Sequence, residues 1–232
     1  MKIYAISDLH LSFSETKPMD IFGDGWKNHW SLIVEDWKNK VTDEDIVLVA
    51  GDISWAMTLE EAQADLERIG ACKGKIILIR GNHDYWWSSM KKINSILPDN
   101  MVCLQNNAVK IGNYVFCGSR GWTVPELGAK PTADDIKLYE RERLRMEMSL
   151  MEGAKLKQEG DTLIAMIHFP PFNSRAESSY FTELFQKYGV SHVIYGHIHG
   201  KTSRARLYYE KNNIKYYLTS CDQVNNKLVE II

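Results

Sequence analysis

The segment Lys75-Ile76-Ile77-Leu78-Ile79-Arg80-Gly81-Asn82-His83-Asp84 is an apolar run that breaks off into a polar cluster. A continuous β-branched run bounded by glycine reads as a strand buried on both faces, so its polar tail falls where the strand leaves the sheet. Open α/β sheets keep their sites at those ends. Four other stretches repeat the design. Ile3 to Ser7 runs into Asp8-Leu9-His10, and Ile46 to Gly51 runs into Asp52. Thr162 to Ile167 runs into His168, and His192 to Gly196 runs into His197-Ile198-His199.

Working outward, the alternation of strands and helices predicts an α/β protein. Trp30 to Lys40 carries Ile33, Val34 and Trp37 at the spacing of an amphipathic helix. Thr58 to Ile69 is a second helix, with Thr58 as N-cap and Glu61 completing a capping box. Further helices are expected at 86–97, 133–158 and about 179–188. Short strands near 102–105, 108–111 and 114–119 suggest a locally antiparallel sheet, with a hairpin at Gly112-Asn113. Strands at 162–167 and 191–195 follow. Antiparallel strands at 204–210, 214–219 and 227–232 close the chain, with a turn at Asn212-Asn213. In the long helix, Leu144, Met148 and Met151 share a face, while Arg141, Arg143 and Arg145 alternate with Glu140, Glu142 and Glu147 in what reads as a solvated surface. The long loop Leu11 to His29 reads either as one wall of a substrate site or as a surface excursion pinned by Trp26 and Trp30.

A chain of 232 residues without repeat, linker or low-complexity tract is expected to be a single domain, 1–232. Its net charge of -2, with both signs interspersed, sets up no field that recruits nucleic acid or an anionic membrane. Cys72, Cys103, Cys117 and Cys221 are far apart, which argues against a zinc knuckle or a disulfide framework and for core residues in a reducing compartment. No signal-peptide core or membrane-length run is present, so a cytoplasmic protein is expected. No sequence feature specifies an oligomeric state. Gly200-Lys201-Thr202 is not a phosphate-binding loop, because only three residues separate Gly196 from Gly200-Lys201-Thr202 and strand-like sequence follows.

The strand-end side chains are Asp8, His10, Asp52, Asn82, His168, His197 and His199, with His83 and Asp84 beside Asn82. Carboxylates, an amide carbonyl and imidazoles suffice for two metal ions sharing a carboxylate, and the mixed nitrogen and oxygen set suits manganese first, then iron or zinc. In Asp8-Leu9-His10 and His197-Ile198-His199 the ligands are two apart and in a straight strand point to opposite faces. They converge only if the chain has already turned out of the sheet.

These motifs resemble the calcineurin-like metallophosphoesterases, whose pattern of Asp-x-His, Gly-Asp, Gly-Asn-His-Asp/Glu, a lone His and Gly-His-x-His is matched from Asp8 to His199. The resemblance implies a four-layer α-β-β-α sandwich of two mixed sheets. It implies that Asp8, His10, Asp52 and His199 hold one ion, while bridging Asp52, Asn82, His168 and His197 hold the other. The implied cofactors are two divalent or mixed-valence ions, and the implied reaction is hydrolysis of a phosphomonoester or small phosphodiester by a hydroxide activated between them. His83 would protonate the departing oxygen or steady the phosphoryl group, a task suited to an imidazole. Asp84 would orient His83, or equally serve as an N-cap ahead of Tyr85-Trp86-Trp87.

One departure is visible. Protein serine/threonine phosphatases of the superfamily read Gly-Asp-x-x-Asp-Arg-Gly, whereas Gly51-Asp52-Ile53-Ser54-Trp55-Ala56-Met57 lacks both that Asp and that Arg. Purple acid phosphatases place a ligating Tyr there, and the indole of Trp55 cannot ligate. Arg120 and Arg175, on loops after strands, are the chosen substrate contacts, ahead of Arg80 and Lys17. Trp86-Trp87 and His168-Phe169-Pro170-Pro171-Phe172 offer either core packing or an aromatic rim. The expected partner is a small phosphorylated substrate, with neither membrane nor nucleic acid. The alternatives are a nuclease of the same superfamily and a non-catalytic metal-binding scaffold; no basic stripe supports the first and no missing ligand supports the second.

Overall fold

The computed structural model describes residues 1–14, 17–200 and 205–232. The first apolar runs form β1 (Ile3–Ile6), β2 (Ile46–Val49), β3 (Lys75–Ile79) and β4 (Met101–Leu104), all parallel to their neighbours in one sheet. A second sheet takes β5 (Ala108–Ile111), β6 (Tyr114–Ser119), β7 (Thr162–Ile167), β8 (His192–Tyr195), β9 (Tyr208–Lys211) and β10 (Ile214–Leu218). Its order is β5-β6-β7-β8-β10-β9, parallel from β6 to β10 with antiparallel edges. The last strand, β11 (Val229–Glu230), crosses back and pairs antiparallel with β1.

Alternate residues of each central strand face two different cores, which is why these strands read as unbroken apolar runs. Ile3, Ala5, Leu48, Ile77 and Ile79 meet Phe116, Ile164, Met166 and Ile194 between the sheets. Tyr4, Ile6, Val47 and Leu78 instead pack outward against α1 (His29–Lys40) and α2 (Leu59–Gly70), which contribute Ile33, Trp37, Leu66 and Ile69. On the far side α4 (Ala133–Leu156) and α5 (Tyr180–Lys187) cover the second sheet with Met146, Leu150, Phe181 and Phe185. The result is the expected four-layer α-β-β-α sandwich of two mixed sheets. Thr58 caps α2 in the expected box with Glu61.

Four expectations need correction. The helix expected at 86–97 shrinks to α3 (Met90–Asn94), because Trp86 and Trp87 are drawn into the core, 2 and 6 % exposed, with their indole N–H groups on Asp84 and Gln105. Those anchors hold the preceding chain in turns, and they settle the tryptophans as core. The short strands after residue 101 do not form one antiparallel sheet: β4 stays parallel to β3, the chain changes sheets at 105–107, and only β5 and β6 form a hairpin. The closing strands likewise divide, since β10 is parallel to β8 and β11 belongs to the other sheet. Residues 201–204, including Lys201-Thr202 and the expected start of a strand at 204, lie outside the described residues, as do residues 15 and 16 of the long loop.

The fourth correction concerns α4, which faces the opposite way from its most apolar stripe. Leu144, Met148 and Met151 are 53, 51 and 48 % exposed, whereas Glu142, Met146, Ser149, Leu150 and Gly153 are buried. Small residues explain the choice: Gly153 lets the helix close onto Cys117. Ser149 Oγ accepts from Gly118 N (2.8 Å) and donates to the Asn107 carbonyl (2.6 Å). Glu142 turns inward to Arg120 and Arg145. All four cysteines are free, and three of them are buried.

Truncating Phe116 at the middle of the inter-sheet core (Phe116→Ala) should cost about 3–5 kcal/mol in denaturant unfolding. Leu144→Ala should stay within about 0.5 kcal/mol, since the exposed face of α4 loses little; a large loss there would refute the helix facing described above.

Candidate metal centre

Each strand of the ligand set delivers its side chain just after leaving the sheet, and the backbone bends sharply to do so. Asp8, His10, Asp52 and His197 have φ of 60, 45, 51 and 72°, the left-handed region that side chains other than glycine rarely enter. This is the turn that the two-residue spacings require. The bent segments hold one another: Asp8 N donates to the Gly51 carbonyl (2.9 Å), His10 N to the Asp52 carbonyl (3.0 Å), and His197 N to Asp8 Oδ2 (3.1 Å). Two glycines permit the crossing. A Cβ on Gly51 would lie 2.8 Å from Gly81 Cα and 2.7 Å from His168 Nδ1, and a Cβ on Gly81 would overlap the Asp52 carboxylate.

The seven side chains come together. Asp8, His10 and His199 form one group of convergent ligand atoms, and Asp8, Asp52 and His168 a second, each within 4.8 Å. Asp8 therefore reaches both groups, alongside Asp52, whose Oδ2 lies 3.7 Å from His10 Nε2 and 3.4 Å from His168 Nε2. Asn82 Oδ1 lies 2.8 Å from His168 Nε2 and 2.9 Å from His197 Nδ1.

The chemistry of these contacts asks for cations. His199 faces a carboxylate on each ring nitrogen, Asp222 Oδ1 at 2.8 Å from Nδ1 and Asp8 Oδ1 at 3.0 Å from Nε2. A neutral imidazole has one N–H, so with Asp222 accepting it, Nε2 facing Asp8 takes either a second proton or a metal ion. His168 is similar, with Nδ1 on the Ala50 carbonyl (2.9 Å) and Nε2 toward Asp52. Burial opposes the charged form of both rings, yet the carboxylates of Asp52 and of Asp222 and Asp8 win, raising His168 to about 9 and His199 to about 10. Burial dominates at His10 and His197, pushing both down to about 4 and leaving neutral rings with free lone pairs. Asp8, wholly buried, is opposed by burial but held well below the usual carboxylate range by His199 and the other imidazoles. His10 Nδ1 is buried without a partner. A donor set this rich in buried nitrogen and carboxylate oxygen fits transition-metal ions.

The remaining expected residues are placed differently. His83 touches the cluster through its ring, 5.5 Å from that of His10, and its Nδ1 is buried without a hydrogen bond. Trp55 packs on both rings, 4.8 Å from His10 and 4.6 Å from His83, and so fills the position that the departure from the phosphatase pattern left open. Asp84 neither orients His83 nor caps a helix. Its carboxylate accepts from Ile53 N (2.8 Å), Ser54 N (3.1 Å), Gly81 N (2.7 Å) and Trp86 Nε1 (3.0 Å), tying the Asp52 loop to the Asn82 loop. Arg120 is paired to Glu142 (3.4 Å) and lies over Trp122, while its carbonyl accepts from His168 N (3.0 Å). Arg175 is exposed. Among the described residues no hydrogen bond or ion pair joins either guanidinium to a ligand residue. Lys17 donates to the Trp55 carbonyl (3.2 Å), and with Pro18, Met19 and His10 it lines a cavity of about 280 Å³ beside the centre.

The sequence reading passed over Asp222. It sits at the end of a sixth strand, β10, after Thr219-Ser220-Cys221, and its Oδ2 also accepts from Gly200 N (2.9 Å). The pattern of an apolar run ending in an acid was there to be read, but no histidine or glycine flagged it.

Comparison with known proteins gives a consistent picture. A family profile described as calcineurin-like phosphoesterase matches residues 1–201. The uncharacterized protein MJ1445 of Methanocaldococcus jannaschii is 30% identical over 95 residues, 40% of this chain and 52% of that protein, so the match spans about half the length of that relative. Among solved structures, TT1561 of Thermus thermophilus superposes with a TM-score of 0.62 at 12% identity, covering 99% of this chain and 97% of that one. The protein of unknown function AQ665 from Aquifex aeolicus gives 0.52 at 16% identity, covering 99% and 95%. At these identities the likeness extends to the fold.

Because His168 and His199 hold protons near neutral pH that a metal ion must displace, loading with manganese at pH 7 should release protons, and affinity should fall as pH is lowered. Calorimetry in buffers of different ionisation heat measures both. Asp222→Asn, which removes the carboxylate on His199 Nδ1, should weaken metal affinity about 10–100-fold with the fold intact by circular dichroism.

Proposed function

This chain belongs to the calcineurin-like phosphoesterase family, and from that premise we propose that it is a metal-dependent enzyme that hydrolyses a phosphomonoester or small phosphodiester at a dinuclear centre. The observation that carries this reading is the convergence of Asp8, Asp52, His168 and His199 with acceptor atoms facing one another. In this reading residues 1–232 act as one domain, since Asp222 lies beyond the family match yet holds His199. Among the described residues no helix is long and apolar enough to cross a membrane.

Asp8, His10, Asp52 and His199 would hold one ion, and Asp52, Asn82, His168 and His197 the other, with manganese the first choice and iron or zinc behind it. Ions bound there polarise phosphoryl oxygens and lower the pKa of water. The chain supplies the rest. Asp222 keeps His199 in the tautomer that presents Nε2, as carboxylates behind metal-bound histidines do. Asp84 braces the loops that carry Asp52 and Asn82. His83, with no hydrogen bond at Nδ1 and clamped by Trp55, is positioned to give a proton to the departing oxygen. In this reading the aromatic contact with Trp55 stands where other branches use an acid partner.

Asp52→Asn should abolish turnover of aryl phosphates and empty at least one metal position by metal analysis. His83→Ala should keep both ions and lose about 10²–10⁴-fold in kcat. Retained activity in a fully metallated Asp52→Asn protein refutes the assignment of Asp52, and metal loss in His83→Ala makes His83 a ligand.

A further inference from the structure

A cavity of about 460 Å³ opens directly beside the metal centre, and the ring of the ligand His197 forms part of its wall. The volume lies within the range that encloses small organic groups, about 300–1,000 Å³. Phe169 packs at a tilt on His197 with ring centres 4.2 Å apart, and Phe172 meets Tyr195 (5.6 Å) and Tyr209 (5.1 Å) edge-on around the same space. Tyr195, 1 % exposed, lines the same cavity together with the polar residues Glu126, Asn173 and Arg206. The rim is fixed. Ser174 donates through N (2.8 Å) and Oγ (2.7 Å) to Glu126, clasping the loop after β6 to the loop after β7. Lys211 Nζ ties β9 to the Ala176 carbonyl (2.7 Å).

We propose that this cavity receives the leaving group, and that the leaving alcohol carries a flat heteroatom-edged ring of nucleoside type. Aromatic walls favour a planar ring, and Glu126, Tyr195 and Arg206 among the lining residues favour a polar edge on it. A sugar phosphate without a base offers no flat face to those walls. The placement rests on the phosphoesterase reading for the bond that breaks: water adds its oxygen to phosphorus, the bond from phosphorus to the alcohol oxygen breaks, that oxygen takes a proton, and the ring-bearing alcohol departs along the cavity. The ring preference itself rests on the cavity alone.

The test compares esters with the same primary alkyl leaving oxygen, so that leaving-group acidity does not intrude. With manganese-loaded full-length protein, kcat/KM for nucleoside 5′-monophosphates and for their methyl diesters should exceed that for ribose 5-phosphate and its methyl diester by about tenfold or more. Tyr209→Ala and Tyr195→Phe should each shrink that ratio, chiefly through KM. In parallel, adenosine and uridine are titrated into metal-free protein and followed by the aromatic resonances of the cavity. Saturable shifts that Tyr209→Ala weakens are expected. Equal rates with and without the base, or nucleoside binding indifferent to Tyr209→Ala, overturn the inference and leave the rings as core packing. Failure to cleave any ester refutes the phosphoesterase reading instead, and the nucleoside titration still decides the cavity.

Discussion

Everything in this molecule is built around acceptor atoms that repel one another unless something positive lies between them. Asp8 and Asp52 are nearly inaccessible to solvent, and ring nitrogens of His10, His168 and His199 converge on them. Bringing such groups together costs free energy twice over, once in desolvation and once in backbone strain at four left-handed residues, about 1–3 kcal/mol each. The inter-sheet core and the hydrogen bonds between the bent loops over-determine the arrangement, so the fold holds it ready before any ion arrives.

The two sheets divide that labour. The first supplies Asp8, Asp52 and Asn82 from neighbouring parallel strands, and the second supplies His168 and the His197-Ile198-His199 segment. Carboxylates thus come largely from one side and imidazoles from the other. The junction is sewn by the C-terminal segment, where Ser7 N donates to the Thr219 carbonyl (2.9 Å), the Cys221 thiol to the Asp8 carbonyl (3.1 Å), and β11 pairs with β1. The relative position of the sheets and the spacing of the ligands are therefore one quantity.

Local signals made the candidate ligands legible in the sequence. Each lies directly after a run of buried residues, and Asp8-Leu9-His10 and His197-Ile198-His199 carry their own demand for a turn. Long-range compensation was not legible. Asp84 looked like an orienting acid beside His83, but its four donors come from residues 53, 54, 81 and 86, and only the folded chain shows that. The facing of α4 followed from Gly153 and Ser149 meeting the edge of β6, a steric and polar fit that outweighs the apolar count of Leu144, Met148 and Met151. Arg120 looked free on a loop, and Glu142 from the far side of a helix claims it.

The indoles around His10 have an optical corollary. Trp55 stacks on that imidazole at 4.8 Å, and Trp26 meets His10 edge-on (5.6 Å) and His199 at a tilt (5.4 Å). Excited indoles respond to the charge of a ring they touch, so two native chromophores report from within van der Waals range of the centre. The protein carries its own emission gauge of whether those imidazoles hold protons, ions or neither, with no label to attach.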